Sequence, residues 1–136
     1  MPHLVILYTA NLEAETSMTA LCRTLADTML AVRNDAGDQL FPTGGTRVYA
    51  YPAPHFAVAD GARDYAFVYL NLRMAPGRSD AIRREVGDAL LAAAKAHLGG
   101  LYERRLIGLT LQIDDAPAQY DGKHNNINAL FAGASR

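Results

Sequence analysis

Hydrophobic positions recur along the chain with two different spacings, which together predict strands and helices in a repeated order. Four short apolar runs have the length and composition of buried strands: 3–9, 46–52, 64–74 and 105–114. Two longer segments, about 12–33 and 79–98, instead repeat apolar residues every three or four positions, which is typical of amphipathic helices. Asn11 and Ser79 precede these segments and are predicted to cap the two helices.

The order of elements is β-α-β followed by a second β-α-β. We therefore predict an α+β fold in a single domain spanning residues 1–136, with pseudo-repeat halves at about 2–60 and 61–131. Two such units joined by right-handed crossovers give a four-stranded mixed sheet with two helices on one face. Pro52 and Pro54 confine the second strand to an edge of this sheet or end it.

The predicted strands are apolar at nearly every position, and this indicates burial on both faces of the sheet. Two helices can cover only one face. We therefore expect the other face to be covered by a second subunit, which predicts a homo-oligomer.

Composition and charge are those of an ordinary soluble protein. Half of the 136 residues are hydrophobic, a fifth are charged, and the formal net charge is −1, which argues against a nucleic-acid-binding domain. Cys22 is the only cysteine and the histidines His3, His55, His97 and His124 are scattered, so we expect neither a disulfide framework nor a metal site. No signal peptide or membrane-spanning run fits the sequence, and a cytoplasmic location is expected.

Pro2 directly follows the initiator methionine. Its small size favours removal of Met1, and the proline would then carry a free secondary amine, a base that no internal residue supplies. The apolar segment 3–9 could hold that amine rigidly as part of a buried strand. The alternative is that proline at this position serves N-terminal processing alone.

Two arginines stand at positions suited to binding anions. Arg47 begins a strand after Gly44-Gly45, and Arg78 lies at the start of the second helix, where free backbone N–H groups and the helix dipole favour negative charge. A guanidinium at either place could bind a carboxylate through two hydrogen bonds, although each could equally be a solvated surface residue. The remaining arginines of the second half are expected to be solvated or interface charges: Arg83, Arg84, Arg104 and Arg105.

Residues distributed from end to end match the pattern of a known family. They are Pro2-His3, Asn11, Phe41-Pro42, Gly45, Arg47, Ala59-Asp60-Gly61, Asp64-Tyr65-Ala66-Phe67-Val68, Gly77-Arg78-Ser79, Glu103, Arg105-Leu106, Asn125-Asn126-Ile127-Asn128 and Ala129-Leu130-Phe131. With these residues the chain resembles the tautomerase superfamily, and within it the 5-carboxymethyl-2-hydroxymuconate isomerase family. The residues beyond Phe131 are not needed by the family pattern, and the stretches 7–9 and 49–56 depart from it.

The resemblance implies a cofactor-independent isomerase of aromatic-compound catabolism, in the homoprotocatechuate pathway. It implies a homotrimer that converts a small carboxylated dienol to its conjugated 2-oxo isomer. It assigns Pro2 as the general base, and Arg47 and Arg78 as the residues that bind or polarise the substrate. No nucleic acid, membrane, metal or cofactor is expected to take part.

Two alternatives stay open at this point. The first is a superfamily enzyme with another reaction, namely hydration, dehalogenation or decarboxylation. The second is a non-catalytic ferredoxin-like ligand-binding module, because that fold has the same β-α-β-β-α-β order and needs no free N-terminus.

Overall fold

The computed structural model describes residues 2–131 and contains one four-stranded mixed sheet with two helices packed on one face. The strands are β1 (His3–Thr9), β2 (Arg47–Ala53), β3 (Tyr65–Arg73) and β4 (Leu106–Asp114), and the helices are α1 (Met18–Ala31) and α2 (Asp80–Leu98). The strand order is β2-β1-β3-β4, so β2 is an edge strand, as its prolines predict. The predicted fold class is confirmed.

Pairing within the sheet separates this fold from the ferredoxin-like alternative. β1 is parallel to β2 and β3 is parallel to β4, while β1 and β3 pair antiparallel at the centre. The two strands of each β-α-β unit are therefore direct neighbours. A ferredoxin-like fold splits each unit by inserting another strand between them. Two intact units joined along their first strands are a different topology.

The core lies between the sheet and the helices. In β1 and β3 every second side chain is buried against α1 and α2: Leu4, Ile6, Tyr8, Ala66, Val68, Leu70 and Leu72. The helices contribute the matching apolar stripes Leu21, Leu25, Met29, Val86, Leu90 and Ala94. Burial raises the pKa of Tyr8 to about 12, and its hydrogen bond to the Glu13 carboxylate acts in the same direction.

The first helix begins later than its sequence pattern predicts. A short 3-10 turn, Ala10–Leu12, follows β1, and α1 starts only at Met18, where Ser17 Oγ accepts a hydrogen bond from the Ala20 amide at 3.1 Å. The prediction that Asn11 caps this helix is wrong. The Asn11 side chain donates instead to the backbone oxygen of Tyr65 at 2.7 Å, and so joins the end of β1 to the start of β3.

The second helix begins as predicted, because Ser79 Oγ accepts a hydrogen bond from the Ile82 amide at 3.2 Å. The prediction that Arg105 is a solvated or interface charge is wrong. Its side chain is 9% exposed and contacts Glu15 Oε2 at 2.8 Å and Asp64 Oδ2 at 3.3 Å. A guanidinium so deeply buried requires carboxylate partners, and Glu15 reaches it from the segment before α1.

Candidate active site

Four strand ends meet at one edge of the sheet, which we call the Pro2 end. β1 and β2 begin there, whereas β3 and β4 end there. In the register of the sheet His3 lies between Arg47 of β2 and Arg73 of β3, and Arg73 in turn is opposite Asp114 of β4. The topology thus gathers three basic side chains from distant parts of the sequence beside the start of β1.

Pro2 is buried and immediately precedes His3 at the start of β1, one of the two central strands. A residue at the edge of an outer strand would be free to fray. Pro2 is instead followed by a strand that pairs on both sides along most of its length. The sequence-based expectation that the strand holds this residue against the body of the protein agrees with this placement.

Arg47 opens β2, and its Nη1 donates to the backbone oxygen of Gly45 at 2.9 Å. That hydrogen bond restricts the side chain while leaving other guanidinium donors available. Within residues 2–131, Arg47 forms no ion pair with a carboxylate. Its charge is therefore not neutralised by the described part of this subunit.

Arg78 lies in the loop between β3 and α2, one residue before the helix cap Ser79. Its side chain is partly buried, and its Nε has no hydrogen-bond partner among the described residues. A buried donor normally has a partner, so this nitrogen marks a position where a ligand or another subunit could supply an acceptor. The backbone oxygen of Arg78 is fixed by Arg83, whose Nη1 donates to it at 2.5 Å.

A cavity of about 770 Å³ opens at the Pro2 end. His3, Arg47 and Arg73 line it from the sheet, Ala75 and Pro76 from the loop that carries Arg78, and several residues of the C-terminal segment complete the lining. Pro2 directly precedes the lining residue His3, and Arg78 follows the lining residue Pro76 by two positions, but neither is itself among the lining residues. The structure thus brings Arg47 to the cavity lining and does not place Pro2 or Arg78 there.

Sequence reasoning missed several residues of this cavity. Arg73 lies next to His3 but is already paired, with Nη1 2.9 Å from Asp114 Oδ2 and Nη2 2.9 Å from the Ala116 carbonyl. Lys123 and His124 come from the C-terminal segment. The alternation of β3 could have placed Arg73 at the strand end, but no periodicity in the polar C-terminal sequence indicates where it folds back.

Positive charge predominates among the described residues that line the cavity. Arg23, Arg47, Arg73 and Lys123 are cationic, and Asp121 is the acidic member of the set. Lys123 lowers the pKa of the Asp121 carboxyl through a hydrogen bond and through its charge. Such a lining suits a small ligand that carries more than one carboxylate.

Metal-binding clusters and membrane-spanning helices are both absent from residues 2–131. No group of three or more histidine, cysteine, aspartate or glutamate side chains there is arranged to hold a metal ion. None of the described helices has the length and apolar character that a membrane crossing requires.

Comparison with known protein families places the whole described chain in one of them. The family model for 5-carboxymethyl-2-hydroxymuconate isomerase matches residues 2–131. The 5-carboxymethyl-2-hydroxymuconate Delta-isomerase of Escherichia coli is 30% identical over 131 residues, which cover 96% of this chain and 99% of that protein.

Solved structures agree with this match. A crystal structure of a 5-carboxymethyl-2-hydroxymuconate delta-isomerase is 54% identical, with a TM-score of 0.93, and covers 96% of this chain and 93% of its own. A 5-carboxymethyl-2-hydroxymuconate isomerase from Deinococcus radiodurans R1 is 34% identical with a TM-score of 0.84, at the same coverage of 96% and 93%. A fused 4-OT symmetric trimer, 23% identical with a TM-score of 0.57 and covering 97% and 98% of the two chains, shares the fold.

Proposed function

This chain belongs to the 5-carboxymethyl-2-hydroxymuconate isomerase family, and from that membership we propose that it converts 5-carboxymethyl-2-hydroxymuconate to the conjugated 2-oxo isomer. The substrate is a dienol with three carboxylates. The observation that carries the proposal is the cationic cavity at the start of β1, beside Pro2 and lined by Arg47. We place the reaction in the cytoplasm, in aromatic-compound catabolism by the homoprotocatechuate pathway.

Pro2 is proposed as the general base after removal of Met1. Its secondary amine takes the proton of the 2-hydroxyl group and returns it to a carbon of the same diene, a 1,3- or 1,5-proton shift. The electron pair of the O–H bond forms the carbonyl, and the double bonds move along the chain, so that no redox step or cofactor is required. The amine must be neutral to begin this cycle.

Two features of the site favour the neutral amine. An ordinary α-amine titrates near ~7.7–8.0, and a proline amine is usually more basic. Pro2 is buried. The next residue, His3, is paired in the sheet with Arg47 on one side and Arg73 on the other, and both carry a positive charge. Burial and nearby positive charge both disfavour protonation and lower the pKa of the amine toward the working pH.

Arg47 and Arg78 are proposed to bind substrate carboxylates, and one of them stabilises negative charge that develops on the 2-oxy oxygen. Support comes from the absence of a carboxylate partner for either guanidinium within residues 2–131 and from the unpartnered Nε of Arg78. A trianionic substrate would supply acceptors to both residues. This account is consistent with bidentate binding of carboxylates by arginine.

The assembly is proposed to be a homotrimer in which the uncovered sheet faces meet. Large apolar side chains on that face are exposed in the single subunit: Leu7, Tyr49, Tyr51, Phe67 and Leu106. An apolar surface of this extent is typical of an interface. The fused 4-OT neighbour with the same fold is a symmetric trimer, which supports the proposed number of subunits.

The proposal is tested with the variant Pro2→Ala, purified with mass spectrometry to confirm that Met1 is absent. Alanine keeps a free amine but not the secondary amine or the rigid ring, and we expect the ketonisation rate to fall by about 10²- to 10⁴-fold. The matched control is Pro54→Ala, an exposed proline just after β2, which should leave the rate unchanged. Near wild-type ketonisation by the Met1-free Pro2→Ala protein would refute the assignment of Pro2 as base.

A further inference from the structure

The C-terminal segment forms a strap, residues 115–131, that leaves β4 and returns across the Pro2 end of the sheet. Two arginines hold its beginning: Arg83 Nη1 contacts Asp115 Oδ2 at 3.0 Å, and Arg73 Nη2 donates to the Ala116 carbonyl at 2.9 Å. Neither arginine belongs to the strap itself. Its first residues are therefore fixed to both β3 and α2.

The other end of the strap packs against the turn that precedes β2. A 3-10 turn, Asn128–Phe131, lies on the 3-10 turn Thr43–Gly45. The contact is so close that a Cβ atom at Gly44 would stand 2.2 Å from Asn128 Oδ1 and 2.8 Å from Asn128 Cα. Arg47 begins β2 three residues later, so the strap is anchored beside a proposed substrate-binding residue.

Between these anchors the strap supplies one wall of the cavity. Asp121, Lys123 and His124 line it together with Arg47 and Arg73 of the sheet. The volume, about 770 Å³, lies within the range of small-molecule sites, about 300–1,000 Å³. A bound substrate would consequently have the sheet end on one side and the strap on the other.

Lys123 is the cation that the strap itself contributes to the cavity, whereas Arg23 belongs to α1 and Arg73 to β3. Lys123 Nζ contacts Asp121, only two positions away, at 2.5 Å, and both side chains are about half exposed, at 46% and 59%. An exposed pair of this kind contributes little stability, so a substrate carboxylate can take the place of Asp121.

We propose that Lys123 binds the carboxylate of the substrate's carboxymethyl branch and thereby determines specificity for the branched substrate. This inference rests on the proposed function. The two carboxylates of the muconate chain are attached to the reacting diene itself. With the diene beside Pro2, they would lie at the same end of the sheet as Arg47 and Arg78. In the same placement the carboxymethyl group, which branches from the muconate chain, would extend toward the strap, where Lys123 lines the cavity.

Kinetics of Lys123→Met with two substrates test the assignment. With 5-carboxymethyl-2-hydroxymuconate we expect KM to rise by about 10- to 100-fold, the effect of losing one charge-assisted hydrogen bond, while kcat changes by less than about threefold. With 2-hydroxymuconate, which lacks the branch, both constants should stay at the wild-type values. Lys123→Arg should retain most of the affinity for the branched substrate.

The chain contains only one other lysine, Lys95, which is exposed on α2 and gives the matched control. Lys95→Met should behave as wild type with both substrates. An equal loss with both substrates in Lys123→Met would show a structural role for Lys123 and overturn the proposal. Unchanged kinetics with the branched substrate would overturn it as well.

A binding experiment keeps this test separate from the proposed reaction. Lys95 and Lys123 of the wild-type protein are labelled with an amine-reactive reagent, with and without propane-1,2,3-tricarboxylate, and quantified by peptide mass spectrometry. We expect the tricarboxylate to slow labelling of Lys123 at least threefold relative to Lys95, and succinate to protect less. Equal labelling would overturn the role of Lys123, whereas protection without turnover of either dienol would refute the proposed function alone.

Discussion

At the scale of single residues, Arg83 links three parts of the structure. It lies in the first turn of α2, where its guanidinium donates to the backbone oxygen of Arg78, to Asp115 of the strap and to Asp80. The two carboxylates raise the pKa of Arg83 above its usual value, with Asp80 making the larger contribution. Arg83 is not among the residues that line the cavity, so its effect on a bound substrate must pass through the backbone of Arg78 or through the strap.

We expect Arg83→Met to impair substrate binding by releasing the loop that carries Arg78. Loss of the charge-assisted hydrogen bond from Arg83 frees the backbone of Arg78, and we therefore expect KM to rise by about tenfold or more with a smaller change in kcat. Arg84→Met, at an exposed neighbouring position, is the matched control and should match wild type. A variant with wild-type KM and lower thermal stability would indicate that Arg83 has a purely structural role.

Predictions for single residues were correct where the contact joins residues that are close in sequence. Ser79 caps α2 because its hydroxyl reaches an amide three residues ahead, and a local pattern is enough to predict that contact. Asn11 and Arg105 bind partners more than forty residues away, Tyr65 and Glu15 respectively. Contacts of that kind depend on the completed fold, which is why the cap predicted for Asn11 and the solvation predicted for Arg105 were wrong.

At the scale of elements, the strap is the feature that hydrophobic periodicity could not indicate. Its residues are almost all exposed in the single subunit. The segment therefore has no alternating or helical pattern of apolar residues from which its path could be predicted. The start of α1 was misplaced for a related reason. Leu12 is buried, like the residues of the helical stripe, but it belongs to a separate 3-10 turn before Ser17. The four strands, as continuous apolar runs, and α2, with its helical periodicity, were predicted within about two residues.

Gly44→Ala tests whether the strap depends on its contact with the turn before β2. The new Cβ would approach the backbone of Asn128, which cannot move without displacing the turn Asn128–Phe131. We expect amide hydrogen exchange in residues 127–131 to accelerate at least tenfold and the stability of the core to fall by no more than about 1 kcal/mol. The kcat/KM for the branched substrate should fall at the same time.

Gly100→Ala is the control for this substitution, because a Cβ there meets nothing within 4 Å and the glycine has no positive φ. It should leave both exchange and kinetics unchanged. If Gly44→Ala showed wild-type exchange in residues 127–131, the strap would be held by its other contacts and Gly44 would not anchor it.

At the scale of the whole molecule, the uncovered sheet face is the feature that a single subunit leaves unexplained. Leu7 lies on β1 in register with Tyr51 of β2 and Tyr69 of β3, so the centre of this face is an apolar and aromatic surface. Beside it, Gly108 leaves the space that the Phe67 ring occupies, since a Cβ there would stand 2.3 Å from a ring carbon. The sequence predicted an apolar face that the two helices leave uncovered, and the structure has one; its cover by other subunits is part of the proposed assembly.

Leu7→Lys should separate folding of the subunit from assembly. Leu7 is 44% exposed and points away from the core, so a single subunit can carry lysine there with its ammonium in water. In an assembly that buries this face the same charge would have no partner, at a cost of several kcal/mol per subunit. We expect sedimentation equilibrium to give the trimer mass for wild type and the 14.7 kDa subunit for Leu7→Lys, with unchanged far-UV circular dichroism.

Ala92→Lys adds the same charge on the exposed side of α2 and should remain a trimer. Should Leu7→Lys fail to fold, Tyr51→Glu places a charge on the same face from the edge strand β2, where Tyr51 is 53% exposed and the backbone tolerates change more readily. A trimer that persists in both variants would show that subunits associate through another surface. The apolar face of β1 and β2 would then need a different partner, because exposing a contiguous apolar surface to water is unfavourable.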